Sequence, residues 1–533
     1  MKNSGFFFLF AAYLSAIFFF APLSITATLV SWGWVVLAVL AAGLGLSAIF
    51  MKPQFKVPPK KIALWILGLL ALATVFSLAA GANLFEEKWS HRWVTLLLFA
   101  GLLQWFSTDN DLVKAVRYPL LAFALALCGE AIYQNFRVCP GSGLDTSCFS
   151  SRFYNINMLT QSLLMLVAIL DFVKNGAHRR LQWLFRVALA LAVLVIVYSQ
   201  SRSAYIAISL YTLSRLLISK KEFLRFLLPL LLAVCVFKLD PRENAGTKPV
   251  DKKDSTSYRR ELAVGSVKMI SENPLGVGPN NFEYGFIQYR NLGQLPPTIG
   301  VVDKTPHNDF FLVLAEEGWA VGAAFIFLFA GLLLKALKSQ WAARATGTAL
   351  LWPGFLIIIF PEVLFQFPSD MHFFAFCTAL VLAVHALGSG PVYYPVKNLL
   401  RSFALAAVLL IGVSGVLRYT MLVPDRYSAV YCTVFHDSWK NCGTYIKNHL
   451  AKRDYAQAEL TAAPVLRYQK YNFIMQHWYF LLNKTEANKV IACNYASLFN
   501  FQASIPGSDI TTCERNLSRQ EIDRRISAFS GSL

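Results

Sequence analysis

The segment Thr305-Pro306-His307-Asn308-Asp309 leads out of a polar stretch into the apolar run Phe310-Phe311-Leu312-Val313-Leu314-Ala315. It predicts a helix start with Thr305 as N-cap and Pro306 at the first helical position, which puts His307 in the first turn. The positive end of the helix dipole disfavours imidazolium, so His307 is expected as a neutral base able to take a proton. The free N–H groups of the same helix end attract anions. A neutral base beside an anion site, where a polar loop meets an apolar run, suits chemistry on a lipid-linked phosphate.

Arginines at three other places could hold such an anion. Arg202 lies in the Ser-rich stretch Ser199-Gln200-Ser201-Arg202-Ser203-Ala204, Arg259 and Arg260 begin a predicted loop helix, and Arg290 ends Phe286-Ile287-Gln288-Tyr289-Arg290. Guanidinium binds phosphate through a planar fork and stays charged, so a group of arginines can hold a diphosphate without a metal. Gly276-Val277-Gly278, followed by Asn280-Asn281-Phe282, reads as a turn that permits close backbone approach. Gly318 and Gly322 read as close helix packing. Glu316 and Glu317 fall about two and a half helical turns beyond His307, too far to be its immediate neighbours. Asp109-Asn110-Asp111 resembles a metal-binding Asp-x-Asp, but it stands in a short connection with no soluble domain around it and reads as a helix cap. No Cys-x-x-Cys or His/Cys cluster points to a metal, and no cofactor is expected.

The elements that must position these residues are membrane helices. The chain has 533 residues, 56% hydrophobic and 15% charged, with a mean hydropathy of +0.48. Long, nearly charge-free runs predict an all-α polytopic membrane protein of 12–13 transmembrane helices. The spans are expected near 5–25, 29–50, 62–81, 91–106, 115–133, 155–173, 181–199, 203–218, 224–238, 309–337, 345–361, 371–387 and 399–419. This divides the chain into N-terminal membrane helices (1–238), a large outer loop (239–308), C-terminal membrane helices (309–420) and a helical outer tail (421–533). Within the loop a helix is predicted around Arg259–Glu272. Within the tail, Arg453–Leu460 has helical-repeat character and Trp478–Phe499 could add an amphipathic pair.

Sidedness follows from Lys and Arg. With the N-terminus inside, the inner connections hold about 18 basic residues and the short outer loops about five, the positive-inside pattern. The net charge of +19 is therefore largely topogenic and gives no support to nucleic-acid binding. Six cysteines fall on the predicted outer side: Cys139 and Cys148 in one loop, and Cys432, Cys442, Cys493 and Cys513 in the tail. An even number in each outer segment suits disulfides, with Cys139–Cys148 the obvious local bridge and three pairings open in the tail. Cys128, Cys235 and Cys377 lie in or beside spans and read as packing residues. Ionisable residues avoid the span middles, with Glu130 near an outer end and Asp171 and His385 near inner ends, which weakens a transporter reading.

Three stretches together resemble the O-antigen ligase and polymerase superfamily of bacterial envelope glycosyltransferases. They are Ser201-Arg202-Ser203-Ala204 at a span start; Arg259-Arg260 leading through Asn273-Pro274-Leu275-Gly276-Val277-Gly278 to Phe282; and His307-Asn308 followed by Leu314-Ala315-Glu316-Glu317-Gly318 and Gly322. The family's pattern has one loop-helix arginine where this chain offers two, so the choice between Arg259 and Arg260 stays open. The resemblance implies a metal-independent inverting glycosyltransferase in the bacterial inner membrane, with the N-terminus cytoplasmic and the C-terminus periplasmic. Its donor would be an undecaprenyl-diphosphate-linked glycan. His307 would activate the acceptor hydroxyl. Arg202 and a loop arginine, Arg259 or Arg260, would bind the diphosphate together with Arg290, with Asn308, Gly276 and Gly278 in support. The acceptor would be lipid A-core for a ligase, a protein for an O-oligosaccharyltransferase, or a second lipid-linked glycan for a polymerase. Membrane lipids are the remaining partner, and a lipid-linked-glycan flippase or other transporter is the alternative from a different class.

Overall fold

The computed structural model describes residues 28–51, 54–59, 87–135, 156–240, 252–289, 306–345, 350–365, 372–395, 398–419, 424–434, 439–452 and 454–468, with isolated positions at 14 and between 64 and 78. Arg290, Thr305, Cys139, Cys148, Cys493, Cys513 and the segment 478–499 lie outside them, as do the first predicted span and most of the third.

The apolar runs are helical because backbone N–H and C=O groups taken out of water must pair within the chain. The N-terminal helices are α1 (Thr28–Met51), α2 (Glu87–Trp105), α3 (Asp109–Tyr133), α4 (Ile156–Val173), α5 (Gln182–Tyr198), α6 (Arg202–Leu216) and α7 (Lys220–Leu239). A loop helix, α8 (Lys252–Glu272), follows, then α9 (Asp309–Ala342), α10 (Leu351–Phe365), α11 (His372–Gly388) and α12 (Asn398–Tyr419). The stretches 109–133, 156–176, 179–198 and 309–345 are each long and apolar enough to cross a membrane, and the shorter apolar helices pack among them. The chain is an all-α polytopic membrane protein. Its core is continuous, with Trp34 of α1, Leu98 of α2, Leu163 of α4, Phe185 of α5, Ile358 of α10 and Phe373 of α11 fully or almost fully buried.

Segments assigned by charge to the inner side gather at one end. One feature there was not anticipated from sequence. β1 (Gln54–Val57) and β2 (Val392–Pro395) form an antiparallel ribbon with Phe55 opposite Tyr394. Lys56 within it donates to the Phe106 carbonyl at the end of α2. Arg117 donates to the carbonyl of Gly176. Asp171 is buried beneath Lys174 and Arg215 and accepts from the Tyr211 hydroxyl at 3.0 Å. The Asp109-Asn110-Asp111 motif opens α3 with Thr108 as N-cap, whose hydroxyl accepts from the Asp111 N–H at 3.2 Å.

The described part of the tail consists of α13 (Ser428–Val434), α14 (Trp439–Ala451) and α15 (Tyr455–Tyr468). Cys432 and Cys442 are disulfide-bonded. Ser428, His449 and Thr461 form a buried hydrogen-bonded set, with the Ser428 hydroxyl 2.8 Å from His449 Nε2 and 2.9 Å from Thr461 Oγ1.

Two expectations for α9 need correction. Its N-cap is Asn308, whose side-chain oxygen accepts from the Phe311 N–H at 3.1 Å. His307 is therefore not in the first turn. It precedes the cap with φ +52°, a left-handed conformation incompatible with the right-handed helix. Asn308 is as good a cap as threonine and puts Asp309, a carboxylate that complements the dipole, in the first turn. Second, the predicted span 309–337 is broken. Gly318 (φ 84°, ψ 174°) separates a short first half, 309–317, from the long apolar second half.

Candidate active site

The segments assigned to the outer side meet at the other end of the bundle. The break in α9 explains how. A helix that stops at residue 317 leaves its last carbonyls unpaired. The turn after α8 supplies the donors: Val277 N–H to Ala315 O at 2.9 Å and Gly278 N–H to Glu316 O at 3.0 Å. In return, Trp319 N–H donates to Pro274 O at 2.9 Å and its indole N–H to Ile270 O at 2.9 Å. Glu316 is buried and accepts from the Phe282 N–H at 3.2 Å, while buried Glu317 pairs with Arg92. The two backbones touch at glycines. A Cβ on Gly276 would lie 2.6 Å from Gly318 N, and one on Gly318 would lie 2.6 Å from the carbonyl carbon of Leu275. Both glycines also have φ +84°. The close approach predicted for the Gly276-Val277-Gly278 turn is thus to α9, and its Gly278 N–H is spent there. Gly318 serves the break as well as the packing, while Gly322 packs against Leu314 across it.

The same docking orients α8. Leu262, Ser266, Met269 and Ile270 recur at helical spacing and are buried against Phe282, Phe286, Leu312 and Ala315. Arg259 lies one turn before Leu262 on that face and is half-buried, whereas Arg260 points to the exposed side. This distinguishes the two adjacent arginines geometrically. Arg202 is the first residue of α6, set on a tight turn from α5. Gln200 takes φ +54° there, Ser201 is the N-cap, and the Tyr205 hydroxyl donates back to Val197 O at 2.6 Å.

Arg202 and Arg259 come close enough to act on each other electrically. Burial and the neighbouring Arg202 charge lower the Arg259 pKa from the ordinary arginine value, and the Glu362 carboxylate raises it. An arginine lowered from so high a value still carries its proton at neutral pH. Two like charges near each other, with one carboxylate nearby, leave a net positive patch suited to a multiply charged anion.

Glu362 and its neighbour Gln161 were not singled out from sequence. Glu362 lies near the end of α10 and is fully buried. Its Oε2 accepts from Gln161 Nε2 of α4 at 3.2 Å, and the Ser203 hydroxyl of α6 also donates to its carboxylate. The available signal was a lone carboxylate, Pro361-Glu362, closing an otherwise charge-free run.

His307 is half-buried, next to buried Pro306. Among the described residues, the non-glycine positions with positive φ are Gln200, Asn280 and His307. They fall in the arginine turn, the docking turn and the approach to α9. Strained backbone of this kind costs about 1–3 kcal/mol per residue and concentrates where geometry is over-determined. Asp309, two residues on, is buried and helps line a cavity of about 370 Å³ between α1, α2, α9 and α11. That cavity is mostly apolar, and Glu316 and Glu317 add to its acidic lining. His91 and Arg92 line it too, Arg92 paired with Glu317, and neither Arg202 nor Arg259 is part of its lining.

The family model described as O-antigen ligase matches residues 187–326, from α5 into α9. The matched segment contains Arg202, Arg259, Arg260, Gly276, Gly278, Arg290, His307 and Asn308, and leaves Gln161 and Glu362 outside. A search of curated proteins finds no match. The matched domain is consistent with the O-antigen ligase and polymerase superfamily and supports an O-antigen ligase-like membrane glycosyltransferase.

Proposed function

We propose that the protein transfers a glycan from an undecaprenyl-diphosphate carrier to an acceptor hydroxyl at the periplasmic face of the inner membrane, as an O-antigen ligase. The observation that carries this reading is the Arg202–Arg259 pair, built by two helices inside the matched segment. α9, whose start His307 precedes, contacts both of those helices. The acceptor oxygen attacks the anomeric carbon as the bond from that carbon to the diphosphate breaks. The acceptor proton passes to His307, acting as general base, and polyprenyl diphosphate leaves with the bonding electron pair. Arg202 and Arg259 stabilise the negative charge that builds on the leaving group. Asn308 supports the reaction by fixing the helix start beside His307. Arg290 is retained as a further donor contact.

Purified full-length protein in lipid nanodiscs, given a defined undecaprenyl-diphosphate glycan, is expected to glycosylate lipid A-core in the presence of excess chelator. Transfer to protein alone would make it an O-oligosaccharyltransferase, and glycan chain growth alone a polymerase. Release or movement of the donor with no transfer to any acceptor would refute the enzyme reading and favour a flippase.

A further inference from the structure

We propose that Glu362 is a positioning residue, the resident counter-charge of the Arg202–Arg259 pair, which fixes Arg259 in place and competes with the donor diphosphate for it. The inference rests on the reading of that pair as the diphosphate site.

A carboxylate buried in an apolar bundle is costly unless hydrogen bonds and an opposite charge compensate it. Glu362 has both, from separate elements. Gln161 of α4 and Ser203 of α6 are themselves buried and hold the carboxylate by neutral donors. Neutral donors orient a charge without cancelling it. The charge that Glu362 meets is Arg259, and the two act on each other electrically. Ser203 follows Arg202 in the chain, so one carboxylate is tied to the loop arginine by charge and to the span arginine through its neighbour. Its Oε1 is buried with no hydrogen-bond partner among the described residues. That leaves a strong acceptor unspent within the electrical reach of Arg259.

The consequence for turnover has a definite sign. Two guanidiniums and one carboxylate leave one net positive charge, so an arriving diphosphate meets attraction from the pair and repulsion from Glu362. The departing polyprenyl diphosphate carries more negative charge than the donor did and is repelled more strongly. Glu362 therefore weakens donor binding and hastens product release.

The test uses full-length protein in nanodiscs with undecaprenyl diphosphate as the binding probe, together with transfer kinetics. Glu362→Gln keeps the volume and hydrogen bonding and removes the charge. It is expected to bind the probe about tenfold more tightly, the scale for a close charge in a partly desolvated site, with donor KM lowered in parallel and kcat lowered by slow release. Glu362→Asp should return both quantities toward wild type. A purely structural role would reduce the yield of folded protein and leave KM unchanged, which would overturn the proposal. Ser203→Ala keeps the charge but frees the carboxylate to turn onto Arg259, so the probe should bind about threefold more weakly, the scale of one hydrogen bond. This variant decides the matter if Glu362→Gln does not insert, and wild-type binding in it would then overturn the proposal. Arg202→Ala is the control for the underlying reading. If it weakens probe binding while Glu362→Gln changes nothing, the counter-charge is wrong and the diphosphate site stands. If Arg202→Ala also binds as wild type, the diphosphate site itself is wrong.

Discussion

Gly318→Ala is expected to undock the turn after α8 from α9. A Cβ at Gly318 would sit 2.6 Å from the carbonyl carbon of Leu275 and 2.8 Å from the carbonyl oxygens of Leu275 and Pro274. These are backbone atoms, which cannot rotate aside as a side chain can. The residue must also hold φ +84° and ψ 174°, a region almost confined to glycine. Strain of about 1–3 kcal/mol from the backbone adds to about 1–3 kcal/mol of overpacking, about 2–6 kcal/mol together. The docking is tied by backbone hydrogen bonds from Val277, Gly278 and Trp319, worth roughly 0.5–1.5 kcal/mol net apiece, or about 1.5–4.5 kcal/mol in sum. The strain is enough to offset these three bonds. The Trp319 indole, the Glu316 carboxylate and the apolar cluster hold the rest of α8, so the expected response is local release of the turn at residues 274–278. The main core between α1 and α11 is a separate cluster and should survive. Hydrogen exchange should show lost protection at the Val277, Gly278 and Trp319 amides, with transfer reduced about a hundredfold as His307 shifts. Unchanged protection at those amides would refute the docking argument.

Arg259→Ala should reduce transfer by roughly two orders of magnitude, the scale for losing one transition-state charge contact, while Arg260→Ala should stay within about threefold of wild type, as exposed surface changes usually do; equal effects in a transfer assay would contradict the helical-face assignment. Replacing Cys432 and Cys442 by serine should destabilise the helical tail by about 2–4 kcal/mol, measured by its protease resistance, and non-reduced peptide mapping should recover the Cys432–Cys442 link. Cysteines placed at Phe55 and Tyr394 should cross-link on oxidation because the two positions face each other in the ribbon. Failure to cross-link would remove the ribbon and the evidence that those loops share a side.

Much of this architecture was legible because its signals are local. Apolar runs marked the helices, and the Lys/Arg bias assigned to one side the loops that gather at one end. That Arg259 and not Arg260 lies on the docked face could have been read from the Leu262, Ser266 and Met269 periodicity, since only Arg259 continues that face. The cap of α9 was misassigned because Thr305 and Asn308 are both good caps, and only a fold-dependent left-handed His307 separates them. The break at Gly318 was hidden because glycine within an apolar run more often marks close packing. Its cause is a turn more than thirty residues earlier in the chain. The ribbon pairs residues 54–57 with 392–395, a separation no local pattern reaches. Glu362 stood at a span edge, where a lone carboxylate looks like a boundary, until Gln161 and Ser203 from distant helices were seen to hold it.

The central claim is that His307 takes the acceptor's proton. The most direct test is the single-turnover rate of glycan transfer by wild type, His307→Ala and His307→Gln, each saturated with the same undecaprenyl-diphosphate donor and with donor binding measured separately. Donor binding should stay near wild type in both variants, and both rates should fall by about two to four orders of magnitude, the range for loss of a positioned general base. Most of the rate returning with glutamine would mean that His307 orients the acceptor without taking its proton. A near-wild-type rate in well-folded His307→Ala would contradict the account outright.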